Sequence, residues 1–141
     1  MSTLRPFHLA IPVDNVALAR AFYRDILKLK EGRSSDHWVD FNFFGHQLVI
    51  HYKAKVEDMT QHSEVDGKAV PVPHFGVVLA WEDFHAFAKA ITPHVSFIIA
   101  PYIRFEGLVG EQATMFFYDP CGNALEFKAF KDDSQLFATD S

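Results

Sequence analysis

Two histidines and a glutamate, His8, His74 and Glu126, are the residues of this chain whose types and settings can do chemistry together. Each lies in a short apolar run rich in β-formers, beside small neighbours. Strand side chains alternate between faces. In FHLAIPV, Phe7, Leu9, Ile11 and Val13 share one face, and His8 and Ala10 the other. In VPHFGVVLA, Phe75, Val77 and Leu79 oppose His74, Gly76 and Val78. In ALEFKAF, Leu125, Phe127 and Ala129 oppose Ala124, Glu126 and Lys128. One face is thus bulky and apolar, and the other is small with one titratable group. A carboxylate on such a face needs a cation or strong donors, because burying an unpaired charge is very costly. A metal ion flanked by two imidazoles supplies one. A single strand histidine is ordinarily a hydrogen-bonded core or surface residue. The case therefore rests on both histidines holding the same place in two repeats, with an inward glutamate in the last strand.

The donor set limits the metal. Cys121 is the only cysteine, so neither an internal disulfide nor a zinc–cysteine cluster can form. Imidazole and carboxylate suit Fe, Mn, Ni, Co or Zn. One cysteine also fits a reducing, cytoplasmic setting. The 141 residues fit one compact domain or two small modules sharing a core. A net charge of −5 argues against nucleic acid and anionic membrane surfaces as partners. No apolar run reaches the roughly 18–20 residues of a membrane helix, and the N-terminus does not read as a signal peptide.

The elements that must position these residues come in a repeated order. Residues 7–13 read as a strand, with Asp14 or Asn15 as helix cap. Val16, Ala19, Phe22, Tyr23, Ile26 and Leu27 then recur at helical spacing. Strands follow over about 28–34, over 37–44 (HWVDFNFF) and over 47–52, after the Gly45-His46 turn. Residues 53–71 are polar and read as a linker with room for a short helical turn. The order then repeats: a strand over 72–80, a helix over 81–91 stopped by Pro93, a strand over 95–100, a loop over 103–110, a strand over 112–118, a turn at Asp119-Pro120-Cys121-Gly122 and a strand over 124–130. The tail from Lys131 reads as frayed. The organisation is a first βαβββ module over 1–53, a linker over 54–71, a second module over 72–130 and a tail over 131–141, an internal duplication of α+β class.

FHLAIPV, AFYRDIL, VPHFGVVL and FFYDPCGNALEF together resemble the vicinal oxygen chelate superfamily, which includes glyoxalase I, bleomycin-resistance proteins and extradiol ring-cleavage dioxygenases. The resemblance covers about residues 5–130, and DPCGNALEF is its most specific part. It implies two modules forming a half-open curved mixed sheet around a metal, with His8, His74 and Glu126 at ligand positions. His51 falls near the place of a fourth ligand in glyoxalase-like members. Aligning Gly45 with Gly122, however, sets Val49 opposite Glu126. Members of this size often form homodimers, and some exchange modules so that one site takes ligands from two chains.

Two histidines and one carboxylate with open positions beside them are the donor set of non-haem Fe(II) oxygenases. The resemblance therefore implies extradiol-type cleavage of a catechol-like diol, with Fe(II) as first choice and Mn, Ni, Co or Zn behind it. Trp38, Phe41, Phe43, Phe105, Phe116 and Tyr118 would suit a flat aromatic substrate, although ordinary core accounts for at least half of them. Ring-cleaving members carry a Tyr ten residues before the ligand Glu; Phe116 stands there, and Tyr118 is the replacement. Their acid/base histidine has only His46 and His62 as candidates, and His51 is taken as a further catalytic residue. Arg104, in the loop RFEGLVGEQ, would grip a substrate carboxylate, with pairing to Glu106 or Glu111 as the alternative. Gln112 and Thr114 share a strand face with Phe116 and would contact substrate. The alternatives to ring cleavage are a glyoxalase I-like lyase or isomerase at the same metal, and a sequestering protein of bleomycin-resistance type that needs no metal.

Overall fold

The computed structural model describes residues 4–54, 61–65 and 68–139, with 61–65 described by backbone alone. Two compact units divide the chain: Met1–Asp58 with Asp119–Asn123, and Met59–Tyr118 with Ala124–Ser141.

The first unit holds β1 (His8–Val13), α1 (Val16–Ala21), β2 (Lys30–Ser34), β3 (Trp38–Phe43) and β4 (His46–Tyr52). The sheet order is β1-β4-β3-β2, with β1 parallel to β4. Asn15 caps α1 by accepting the Leu18 amide at 2.9 Å. The helix then widens into a π-turn, Phe22–Ile26, with Leu27 N–H donating to the Phe22 carbonyl. The wider turn lets the adjacent Phe22 and Tyr23 both be buried. Ile11, Val13, Val39, Phe41, Phe43, Leu48 and Ile50 form the buried face under this helix. His8, Ala10, Gln47 and His51 are exposed on the other.

The turn Asp119–Asn123 belongs to this unit. Asp119 is 4% exposed and accepts from Tyr23 Oη (2.7 Å), the Cys121 amide (2.8 Å), the Asn123 amide (2.9 Å) and Asn123 Nδ2 (2.9 Å). Asn123 Nδ2 also donates to the Pro12 carbonyl. Burial raises the Tyr23 phenol well above its usual range, and the Asp119 charge adds to that.

Arg20 makes a two-pronged ion pair with Glu31 at 2.7 and 2.6 Å. The Arg20 hydrogen bond holds the Glu31 carboxyl below its usual range. A depressed carboxyl stabilises the fold above its unfolded pKa, and that stability is lost as pH falls through the folded value. Glu31→Gln is therefore expected to cost about 1 kcal/mol or less at neutral pH, given solvent screening of this partly exposed pair. The cost should vanish in acid. Urea melts at the two pH values test this, and an equal deficit at both would refute it.

The second unit holds β5 (Gln61–Val65), β6 (Lys68–Val72), β7 (Val78–Leu79), α2 (Trp81–Ile91), β8 (Phe97–Arg104), β9 (Gln112–Tyr118) and β10 (Ala124–Phe130). Its main sheet runs β7-β10-β9-β8, with β7 parallel to β10, the same path as in the first unit. The duplicated βαβββ order is thus present in both. Phe84, Ala88 and Ile91 of α2 are buried, and the Phe127 ring lies 4.9 Å from Phe87 and 5.8 Å from Phe117.

Four details differ from the sequence reading. Part of the segment read as linker is a hairpin, β5 against β6. Val70 of β6 is buried with Ile99 and Phe116, which anchors the hairpin on the second unit's main sheet. Any helical turn would have to fall in 55–60 or 66–67, which lie outside the described residues. Of the strand read over 72–80, Val72 ends β6, and beyond it only a bridge at Phe75 and the two residues of β7 remain; Pro73 has no N–H to give a ladder. β8 runs on to Arg104, so the loop shrinks to 105–111. The tail is tied down as far as Gln135: Lys131 N–H donates to the Glu111 carbonyl, and Gln135 Oε1 accepts from the Gly110 amide. Among the described residues, no helix is long and apolar enough to cross a membrane.

Candidate metal centre

Strand alternation turns Leu125 and Phe127 of β10 into the core of the second unit and Glu126 and Lys128 to the opposite face. Glu126 is opposed by Phe116 of β9, and Thr114 is opposed by Lys128. On the other side of β10 runs the Phe75 segment, whose carbonyl accepts the Glu126 amide at 2.8 Å. Gly76 faces Glu126 there at very close range: a Cβ on Gly76 would lie 1.6 Å from the Glu126 carbonyl oxygen. This approach brings His74 beside the carboxylate.

His74 Nε2 lies 3.0 Å from Glu126 Oε1. Its Nδ1 lies 2.7 Å from the Pro71 carbonyl, which can only accept, so Nδ1 carries a proton. The second carboxylate oxygen takes the Thr114 hydroxyl at 2.5 Å and faces Lys128 Nζ at 3.7 Å. The Phe116 ring meets the imidazole edge-on at 5.0 Å. The Glu126 hydrogen bond raises the His74 pKa, against the lowering effect of burial. Burial pushes the Glu126 carboxyl up, but the His74 and Thr114 hydrogen bonds outweigh it and leave the group below its usual range. Both ring nitrogens thus face acceptors. Nε2 and Oε1 can stand this close only with a cation shared between them, a proton or a metal.

These groups open on a pocket of about 160 Å³, lined by His74, Arg104, Thr114, Phe116, Glu126 and Lys128 among others. Of the residues expected around the substrate, Arg104, Thr114 and Phe116 are there. Gln112 is not: it is 7% exposed, Nε2 bonds the Gly110 carbonyl, and Oε1 has no hydrogen-bond partner among the described residues. Tyr118, at the far end of β9, is 38% exposed and outside the lining. Lys128, Tyr102, Val70 and Ile99 line the pocket without having been singled out. Parity alone marks Lys128, two residues from Glu126; the others depend on how β6 and β8 pack. No third His, Cys, Asp or Glu joins His74 and Glu126 among the described residues of this unit.

In the first unit, His8 starts β1 opposite Gln47, with Nδ1 2.8 Å from Gln47 Oε1. Phe43 corrects the sequence reading: it lies on the α1 face, opposite His46 and in register with Phe41 and Leu48, and it is core. His51 is exposed and stands opposite Trp38. The two sheets also settle the register of the repeat. Ala10 pairs with Val49 in the first, where the Phe75–Leu125 bridge sets Gly76 against Glu126 in the second. Val49 therefore holds the place of Glu126, and His51 that of Lys128. His46 accepts the Phe7 amide, a structural contact, while the His62 side chain lies outside the described residues.

Residues 5–127 match the family model of the glyoxalase/bleomycin resistance protein/dioxygenase superfamily. The chain belongs to that superfamily. A member from Alicyclobacillus acidocaldarius is 33% identical, with a TM-score of 0.75 over 94% of this chain and 96% of that one. The fosfomycin resistance protein FosX of Listeria monocytogenes shares the fold at 20% identity, with a TM-score of 0.66 over 96% and 99% of the two chains. A FosX variant from the same organism, 19% identical with a TM-score of 0.65 over 97% of each chain, is in complex with Mn(II) and 1S,2S-dihydroxypropylphosphonic acid. No curated protein matches the chain.

Proposed function

We propose that this superfamily member is a divalent-metal-dependent enzyme, with His8, His74 and Glu126 as its protein ligands and a small, oxygen-rich anion as its substrate. One observation carries the reading: His74 Nε2 and Glu126 Oε1 are 3.0 Å apart, with no hydrogen-bonding alternative except a shared proton. Two donors about 2.1 Å from one cation and at right angles around it stand about 3.0 Å apart. Their outer atoms are held as metal ligands usually are, the imidazole by a backbone carbonyl and the carboxylate by a hydroxyl. Fe(II), Mn(II), Ni(II), Co(II) and Zn(II) all accept this donor set. Such an ion would supply Lewis-acid polarisation of a bound substrate oxygen. The residues around it do the rest: Thr114 holds the carboxylate, Phe116 packs against the imidazole, and Arg104 and Lys128 set positive charge where an anionic substrate enters. The hydroxylated phosphonate seen with Mn(II) in the FosX variant is a molecule of this kind.

Extradiol ring cleavage is a second reading, and two observations favour it. Val49 in the place of Glu126 leaves three protein ligands rather than the four of a glyoxalase I-like site. A pocket of about 160 Å³ matches one aromatic ring. Tyr118 outside the pocket weighs against it. Both readings take the protein to be a homodimer, as is common among members of this size.

Purified protein is expected to bind about one equivalent of Fe(II) or Mn(II) per chain, and His74→Ala to bind none, by elemental analysis and calorimetry. One full equivalent in His74→Ala sinks the assignment. Thr114→Val should weaken binding about tenfold while preserving the fold, because it removes only the bond that orients Glu126; an unchanged Kd would assign that hydroxyl to packing. Oxygen uptake with a catechol panel under Fe(II) would promote ring cleavage to first place, and turnover of small hydroxylated phosphonates or carboxylates would retire it.

A further inference from the structure

Beside His8 runs a hydrogen-bonded chain of side chains. Gln47 Oε1 lies 2.8 Å from His8 Nδ1, and Gln47 Nε2 lies 3.4 Å from Asp40 Oδ2. The register places the three together. Gln47 stands opposite His8 on one side and Asn42 on the other, with Asp40 one diagonal step along β3. All three side chains share the face turned away from α1.

The donors and acceptors along this chain leave one arrangement. A carboxylate accepts and does not donate, so the Gln47 amide must turn its NH₂ towards Asp40. Its carbonyl oxygen then faces His8. That oxygen also only accepts, so His8 must carry its proton on Nδ1. The lone pair is thereby left on Nε2. An unconstrained neutral imidazole in water favours the other form, with the proton on Nε2. In the second unit the Pro71 carbonyl imposes the same choice on His74. One histidine is set by the backbone and the other by a side-chain relay.

We infer that Gln47 and Asp40 are positioning residues that lock His8 in the Nδ1–H tautomer, holding Nε2 ready for a divalent cation. The inference rests on the ligand role proposed above for His8.

The test reads the tautomer directly. Long-range ¹⁵N–¹H spectra of metal-free protein are taken at about pH 8, above the ordinary imidazole range, with Mn(II) titrations in parallel. The native chain should show His8 as Nδ1–H. Gln47→Leu should move it to Nε2–H and weaken Mn(II) binding about 10- to 100-fold. Asp40→Asn should give a mixture, because the Gln47 amide can then flip. Gln47→Glu can only accept, and should keep the Nδ1–H form. All three positions are at least partly exposed, so the variants should fold, and their melting temperatures check this. His8 found as Nε2–H in the native chain overturns the inference, as does Gln47→Leu with tautomer and Kd unchanged. If the native chain binds no Mn(II), the ligand role of His8 falls and the inference with it. Metal binding with a tautomer indifferent to Gln47 overturns the relay alone.

Discussion

Gly76→Ala is expected to lower the melting temperature by about 10 °C and to abolish stoichiometric metal uptake. The new methyl would lie 1.6 Å from the Glu126 carbonyl oxygen and 2.6 Å from its carbonyl carbon. Both are backbone atoms of a central strand, so no side chain can swing aside. The Phe75 segment must move off β10, breaking the bond from the Glu126 amide to the Phe75 carbonyl. Overpacking of this kind costs about 3 kcal/mol, and each kcal/mol is worth about 2–4 °C at this size. His74, two residues away, moves with the segment, and its 3.0 Å approach to Glu126 goes with it. The corresponding place in the first unit holds Ala10, opposite Val49. The demand for glycine thus belongs to the strand that carries the carboxylate. Thermal unfolding and a metal titration on the same sample test this; a variant within 2 °C of the parent that still takes up one equivalent, against the about 10 °C expected, would disprove it.

Asp119→Ala is the second large effect. Asp119 is buried and accepts four hydrogen bonds, one from a phenol with no exposure at all. Removing the carboxylate takes the acceptor from the Tyr23 hydroxyl and from the Cys121 and Asn123 backbone amides, and leaves Asn123 Nδ2 with the Pro12 carbonyl alone. A buried donor left unsatisfied costs about 1–3 kcal/mol, and several are left here, so the loss is about 3–5 kcal/mol. Asp119→Asn should cost less, because one oxygen remains for the turn amides while the new NH₂ opposes Asn123 Nδ2. Tyr23→Phe should cost least, about 1–2 kcal/mol, because it removes one donor and leaves three. The order of the urea midpoints is the measurement. Tyr23→Phe matching Asp119→Ala would show that the turn bonds contribute nothing.

Much of the candidate centre was legible because strand parity is local. Knowing only that residues 124–130 form a strand, with Leu125 and Phe127 in the core, turns Glu126 outward. The same rule pointed to His74, Thr114 and Phe116. It falls short where pairing with the adjacent strand, or packing of a loop and the tail, decides the outcome. Phe43 was read as a substrate contact, but its register with Phe41 and Leu48 puts it under α1. Gln112 shares a face with Thr114, yet the loop and tail beside it bury it away from the pocket. His51 has the right parity and the wrong rung: the Ala10–Val49 pairing puts Val49 where Glu126 stands in the other sheet.

The residues by themselves determined the repeated βαβββ order, the turn at Asp119-Pro120-Cys121-Gly122 and the donor types available to a metal. Each depends on periodicity or on the chemistry of a few adjacent residues. Tertiary structure alone decided that the Pro71 carbonyl fixes the His74 ring, that Gly76 lies against Glu126, that Tyr23 bonds Asp119 from 96 positions away, and that Gln47 joins His8 to Asp40. The reason is physical. Side-chain alternation is set by each strand's own backbone, whereas the partner of an outward-facing atom is set by which strands pair and in what register. So Glu126 and His74 could each be singled out from their own segments, whereas their 3.0 Å approach could be found only from the fold.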